Sequence, residues 1–266
     1  MTFFSSHVTL VLIPHRSVQD SKLMIDLNER QIKILKAIID EFIETAAPVG
    51  SETLEKKFNL GISPATIRNE MVKLAEAGFL KQVHTSAGRT PTSMALKYYI
   101  SNLMKSEGLS LAEEVAVKEK VWDYRTKFDK LLRESTKELA KRTKMLSLST
   151  TDEGDMYSFG VSNILEAPEF YDIDLTKTIL SYLDRFDFWE DLIQRAFDAP
   201  DPMHILMGDE LGMEMFEPCG FYYTVYKAGP RSGAIGVVGP SRVKFSKIIP
   251  VVKYFGNLIG EISQNW

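Results

Sequence analysis

The chain has 266 residues, 44% hydrophobic and 26% charged, with a formal net charge of −4. No run of 18 apolar residues occurs, which excludes a membrane-spanning helix and argues against a membrane partner. The single cysteine, Cys219, excludes a disulfide framework and a multi-cysteine metal site, and fits a reducing, cytoplasmic setting.

Charge is unevenly placed. Residues 65–105 carry six Lys or Arg against two Asp or Glu, whereas residues 106–266 carry 19 against 26. A basic segment on an acidic body points to a polyanionic partner for one part of the chain only. Residues 1–23 lack a basic leader, and their short apolar run Val8–Ile13 is cut by Pro14. They are expected to be a disordered tail or an over-called start, with Met24 as the functional start.

Asn28 and Gln31 have the spacing of a capping box. Ile32, Leu35, Ile39 and Phe42 then recur at helical spacing to about Thr45. Ala47-Pro48-Val49-Gly50 ends that helix, and Ser51 is expected to cap a short second one with Leu54 and Phe58 inward. Ser63 caps a third, Pro64 suits its first position, and Gly78 stops it. With Ile67, Met71 and Leu74 inward, Ala65, Asn69 and Glu76 point outward, Thr66 and Lys73 lie on one shoulder and Arg68 on the other. A short helix, a tight turn and a helix with small polar residues on its outer face form the helix-turn-helix pattern. Asn pairs with adenine, Thr and Ala meet a thymine methyl, and Arg or Lys reach guanine or phosphate. A solvated face of an ordinary three-helix bundle has the same periodicity.

Phe79–Val83 reads as a strand leading to a polar tip, His84-Thr85-Ser86-Ala87-Gly88-Arg89-Thr90-Pro91. His84 and Arg89 can touch phosphate, Thr85 and Ser86 can donate hydroxyls, and Gly88 reads as a plain turn glycine. A helix-turn-helix followed by such a tip is a winged helix. Thr92 caps a fourth helix with Leu96, Tyr99, Ile100 and Leu103 inward, and Lys105-Ser106-Glu107-Gly108 closes the unit. Leu111–Leu146 is one long amphipathic helix or two, and only the connection Ser147–Phe159 follows it. Short helices are expected over Leu175–Leu183 and Phe188–Phe197, and strands over Met203–Met207, Phe221–Tyr226 and Ala234–Val238. Lys227–Gly233 is the hairpin loop between the last two strands, and a helix bent near Pro250 closes the chain over Lys247–Ile262.

Three blocks together resemble the heat-inducible transcription repressor family (HrcA). The first runs from Pro48-Val49-Gly50-Ser51 through Ser63–Met71 and Gly78 to His84–Thr92. The others are Gly160–Leu165 with Pro168-Glu169-Phe170, and Gly233–Arg242. The resemblance covers about Asp26–Ile262. It implies an α+β chain, with a winged helix-turn-helix DNA-binding domain over residues 24–106 and a reduced GAF-like α/β regulatory and dimerisation domain over 107–266. It implies a dimeric repressor on an inverted-repeat operator in double-stranded DNA, upstream of chaperone and chaperonin genes, with the chaperonin as a second partner. The recognition helix falls on Ser63–Ala77 and the wing on Gln82–Thr92. The expected DNA-binding residues are thus Ser63, Ala65, Thr66, Arg68, Asn69, Lys73, His84, Thr85, Ser86 and Arg89. The chain departs from the family in missing its inserted dimerising segment, which puts the full GAF-like sheet in question, and in carrying Val243-Lys244 where Met-Asp is usual. The amphipathic stretch Val121–Leu139, with Trp122, Phe128, Leu131 and Leu132, is then the expected dimer seam.

No constellation for catalysis, metal or cofactor is legible. His204 stands alone, Cys219 has no neighbouring histidine, and Gly233, Gly236 and Gly239 lack the strand-turn-helix setting of a dinucleotide site. The reading is therefore not an enzyme. Two alternatives remain: a small-molecule sensor with a GAF-type pocket lined by Phe221, Tyr222, Tyr223 and Tyr226, and a winged helix used for protein contact, against which the basic excess argues.

Overall fold

The computed structural model describes residues 27–263 except 83–87, 123–126, 195 and 198. The tail 1–23 and the start at Met24 lie outside the described residues. The first helix, α1 (Glu29–Thr45), opens on the expected capping box: the Gln31 N–H donates to Asn28 Oδ1 at 3.0 Å and the Asn28 N–H to Gln31 Oε1 at 3.1 Å. Helix α2 (Ser51–Lys57) has Gly50 at its cap, and Ser51 is its buried first residue, not the cap expected of it. Helix α3 (Pro64–Glu76) is capped by Ser63, whose Oγ accepts from the Thr66 N–H at 3.3 Å. Strands β1 (Leu80–Gln82) and β2 (Arg89–Pro91) pair antiparallel, and Thr92 caps α4 (Ser93–Asn102).

The stretch expected as one or two helices is two, α5 (Leu111–Trp122) and α6 (Phe128–Thr143). The segment read as a bare connection folds into a hairpin, β3 (Leu146–Thr151) and β4 (Met156–Phe159). Two 3-10 turns, Val161–Glu166 and Pro168–Tyr171, lead to α7 (Ile173–Tyr182) and α8 (Phe186–Gln194). Strand β5 (Met203–Met207) stands where expected, while β6 (Cys219–Ala228) and β7 (Arg231–Pro240) outrun their expected ends. Their ladder closes at Ala228 opposite Arg231, so the hairpin loop is only Gly229-Pro230, with Gly229 in the left-handed region. Helix α9 (Phe245–Ile262) completes the chain.

Strands β3–β7 form one antiparallel sheet in the order β4-β3-β7-β6-β5, so a five-stranded sheet is present despite the short middle. Alternation along β6 and β7 sorts residues by face. Tyr222, Tyr226, Ile235 and Val237 join the cluster that includes Leu131 and Leu132 of α6 and Phe255 and Ile259 of α9. Phe221, Tyr223, Ala234 and Val238 join the cluster of Ile179 on α7 and Trp189 on α8. The sheet is thus covered by helices on both faces. The first cluster does not stop at the sheet: it continues through Val117 and Leu96 to Leu80, Leu74, Ile67, Leu54 and Ile34, so the N-terminal helices and the body share one apolar core.

That core removes the expected dimer seam. Val121, Phe128, Leu131, Leu132 and Leu139 are buried within the single chain, because their faces of α5 and α6 are already covered. Of the stretch singled out, Trp122 is exposed, and it sits on a different helix from Phe128.

Pro250 lies inside α9 and lacks the N–H that would bond the Ser246 carbonyl one turn earlier. That carbonyl instead accepts from the Glu107 N–H at 2.6 Å, and Ser246 Oγ donates to Glu107 Oε1 at 3.1 Å. The segment between α4 and α5 is tied to the body there.

Candidate nucleic-acid interface

Helix α3 is fixed from one side. Ile67 and Leu74 are fully buried, Met71 nearly so, and together they hold the helix on α1 and α2. The opposite side carries Ser63, Ala65, Arg68, Asn69 and Lys73, all exposed, with Thr66 half-buried. Thr66 Oγ1 lies 3.0 Å from Ser63 Oγ, so its hydroxyl is engaged at the cap. Among the described residues, no hydrogen bond or ion pair engages the side chains of Arg68, Asn69 and Arg89.

Lys73 is differently placed. Its ammonium lies 3.2 Å from Glu70 Oε1, and the Arg30 guanidinium of α1 lies 3.8 Å from the same oxygen. Glu70 is 5% exposed, and its second oxygen, Oε2, has no partner. Sequence reasoning passed over this carboxylate. Its signal was there: Glu70 stands one turn after Ile67, on the flank of the buried stripe rather than on the outer face.

Arg89 opens β2 in the ladder pair nearest the tip of the β1–β2 ribbon. It opposes Gln82 across the ribbon, and its backbone exchanges two hydrogen bonds of 2.9 Å with Val49. The ribbon is thereby sewn to the segment between α1 and α2. Gly88 is more than a turn glycine: a Cβ there would stand 2.4 Å from the Val49 carbonyl carbon and oxygen, so only glycine lets the two backbones meet. His84, Thr85 and Ser86 lie outside the described residues. Lys81 on β1 is paired with Glu217 of the body, and partial burial lowers its pKa.

Phe221, Tyr222, Tyr223 and Tyr226 do not line one pocket, because alternation sends Tyr222 and Tyr226 to one face of the sheet and Phe221 and Tyr223 to the other. Phe221 instead helps line a small apolar cavity with Ile179, Tyr182, Trp189, Phe216 and Cys219. Burial, aided by the Glu169 carboxylate, pushes the Cys219 thiol up to about 12, which keeps it unreactive. His204 stacks on Tyr223 with ring centroids 5.2 Å apart. Among the described residues no helix is long and apolar enough to cross a membrane.

With this geometry in view, comparison with known proteins adds three findings. The profile of the HrcA protein C terminal domain matches residues 68–249. A heat-inducible transcription repressor HrcA of Clostridium acetobutylicum is 26% identical over 342 positions, which take in 90% of this chain and 98% of the relative. One from Pelotomaculum thermopropionicum is 27% identical over 337 positions, covering 89% and 97%. Both alignments are longer than the chain, as expected if the relatives carry a segment it lacks. A crystal structure of a hypothetical protein at 2.2 Å resolution has the same fold at a TM-score of 0.70 and 18% identity, covering 90% of this chain and 99% of that one.

Proposed function

The chain belongs to the HrcA family, and on that premise we propose that it is a transcriptional repressor of heat-shock genes which binds an inverted-repeat operator in double-stranded DNA as a homodimer. In this reading residues 24–106 form the winged-helix DNA-binding domain and residues 107–266 a reduced GAF-like domain for regulation and dimerisation. Helix α3 enters the major groove. Asn69 pairs with adenine, Ala65 and the Thr66 methyl meet thymine, and Arg68 reaches guanine or phosphate. Ser63, Lys73, Arg89 and the ribbon residues His84, Thr85 and Ser86 position the unit on the sugar-phosphate backbone.

The observation that carries this reading is the contrast across α3. One face is locked by three buried apolar residues, and the other presents Arg68 and Asn69 exposed and, among the described residues, uncommitted to any partner. Two-fold symmetry comes from a surface other than the buried α5–α6 stripe, and the chaperonin acts by raising the fraction of chain able to bind. The test is the binding of full-length protein to a duplex carrying the inverted repeat upstream of its own organism's chaperonin genes. A duplex with both half-sites scrambled is the control. Tight, salt-sensitive binding to the first and weak binding to the second is expected. Equal binding to both would refute the sequence-specific reading.

A further inference from the structure

Two sequence blocks in the body remain without a role: Pro168-Glu169-Phe170 and the end of Gly233–Arg242. They meet in space. The Arg242 guanidinium grips the Glu169 carboxylate with both prongs, Nε on Oε1 and Nη2 on Oε2 at 3.1 Å, although 73 residues separate them. Both side chains are only 14% exposed, which sets this pair apart from the surface ion pairs of the chain. The third nitrogen, Nη1, donates to the Ile43 carbonyl of α1 at 2.8 Å, 199 residues away.

Ile43 is not an arbitrary acceptor. It stands in the last turn of α1, where carbonyls lack intrahelical partners. The N–H that would serve it in a continued helix belongs to Ala47, and that group turns to Thr45 Oγ1 at 3.3 Å. Ala46, in the left-handed region with φ 56, completes the break. The vacancy at the negative end of the α1 dipole is filled by a guanidinium from the body. Immediately beyond lie Val49, sewn to Arg89, and then α2 and α3. One side chain therefore joins the 3-10 turn Pro168–Tyr171, the turn after β7 and the exit of α1.

We infer that Arg242 is a positioning residue. Held by Glu169, it fixes the exit of α1 and so the angle at which α2, α3 and the β1–β2 ribbon leave the body. The inference rests on the DNA-binding reading for its consequence, since in a dimer that angle sets the separation of two recognition helices. It does not rest on that reading for its geometry. A fork is needed: lysine keeps the charge but cannot hold two carboxylate oxygens and a carbonyl at once.

The test uses the full chain with Arg242→Lys, and with Glu169→Gln as a second variant. For the geometry, spin labels go on Glu55→Cys of α2 and Lys130→Cys of α6, both exposed, while Cys219 is buried and stays unlabelled. The distance distribution between the labels should be narrow in the parent and broad in both variants, with the melting transition retained. For the function, affinity for the full inverted repeat should fall about tenfold while affinity for a single half-site stays within about twofold. An unchanged distance distribution overturns the inference, as does an equal loss on repeat and half-site. Variants that both fail to fold would make the pair a folding requirement and overturn it too. If the parent binds neither duplex, the DNA-binding reading fails, and the label distances still decide the role of Arg242.

Discussion

Asn69 and Arg89 should fail in different ways when truncated. Asn69 is exposed on α3 and is proposed to read a base, so Asn69→Ala should cost about 1–3 kcal/mol on the preferred duplex and little on others, relaxing sequence preference. Arg89 opens β2 beside the ribbon tip and is proposed to touch phosphate, so Arg89→Ala should weaken all duplexes alike and reduce the slope of log affinity against log salt by about one. Fluorescence anisotropy over a salt series, with matched and mismatched duplexes, separates the two. Gly88 gives a prediction that needs no DNA. A methyl group there meets the Val49 backbone at 2.4 Å, so Gly88→Ala should destabilise the chain by about 1–3 kcal/mol and lower its thermal midpoint. A midpoint equal to the parent's would mean that the ribbon and the α1–α2 segment part without cost. The sequence announced Gly88 only as a turn, since the backbone it must admit is 39 positions upstream.

Elements bounded by local chemistry were legible in the sequence. The side chains of Asn28, Ser63 and Thr92 each accept from the helix N–H three residues on, so α1, α3 and α4 start where expected. The hairpin β3–β4 was not legible. Its first strand is Leu-Ser-Leu-Ser-Thr-Thr, every residue is buried, and its serines face α6 rather than water: Ser149 Oγ meets Thr136 Oγ1 at 2.6 Å. Polar residues on a face that a helix later covers look like a connection. The expected seam over α5 and α6 failed for the converse reason. An apolar stripe declares that it will be buried, not against what.

Glu138 ties those two helices together. Burial works to raise its pKa, but the ammonium groups of Lys141 at 2.6 Å and Lys120 at 3.3 Å hold it below the ordinary 4.5. A folded pKa below the unfolded one adds stability that is present above about 4.5 and is lost as pH falls through the folded value. Glu138→Gln should therefore lower the melting temperature at pH 7, and by progressively less below pH 4.5. A penalty constant from pH 7 to pH 3 would show that Glu138 acts by packing alone.

At the scale of the whole molecule, the continuous cluster from Ile34 to Ile262 binds the N-terminal helices to the body. Melting should be one cooperative transition, with calorimetric and van't Hoff enthalpies equal. Leu131→Ala, deep in the shared core, should cost about 2–5 kcal/mol and shift that whole transition. Two separated transitions would show instead that the units fold independently. Charge divides what the core unites. In the proposed DNA-binding reading, the acidic excess of residues 106–266 discourages DNA from lying on the body and leaves the basic segment as the face for it to approach.

Pro250 has a consequence for how this chain tolerates change. A proline within a helix ordinarily counts as damage, about 3 kcal/mol worse than alanine, so replacing it should look like repair. Here the vacant carbonyl at Ser246 is occupied by Glu107. A residue with an N–H at position 250 would compete for that oxygen and evict the strap between α4 and α5. The helix would then gain regularity at the expense of a long-range tether. A change that improves α9 taken alone would thus loosen the chain taken as a whole.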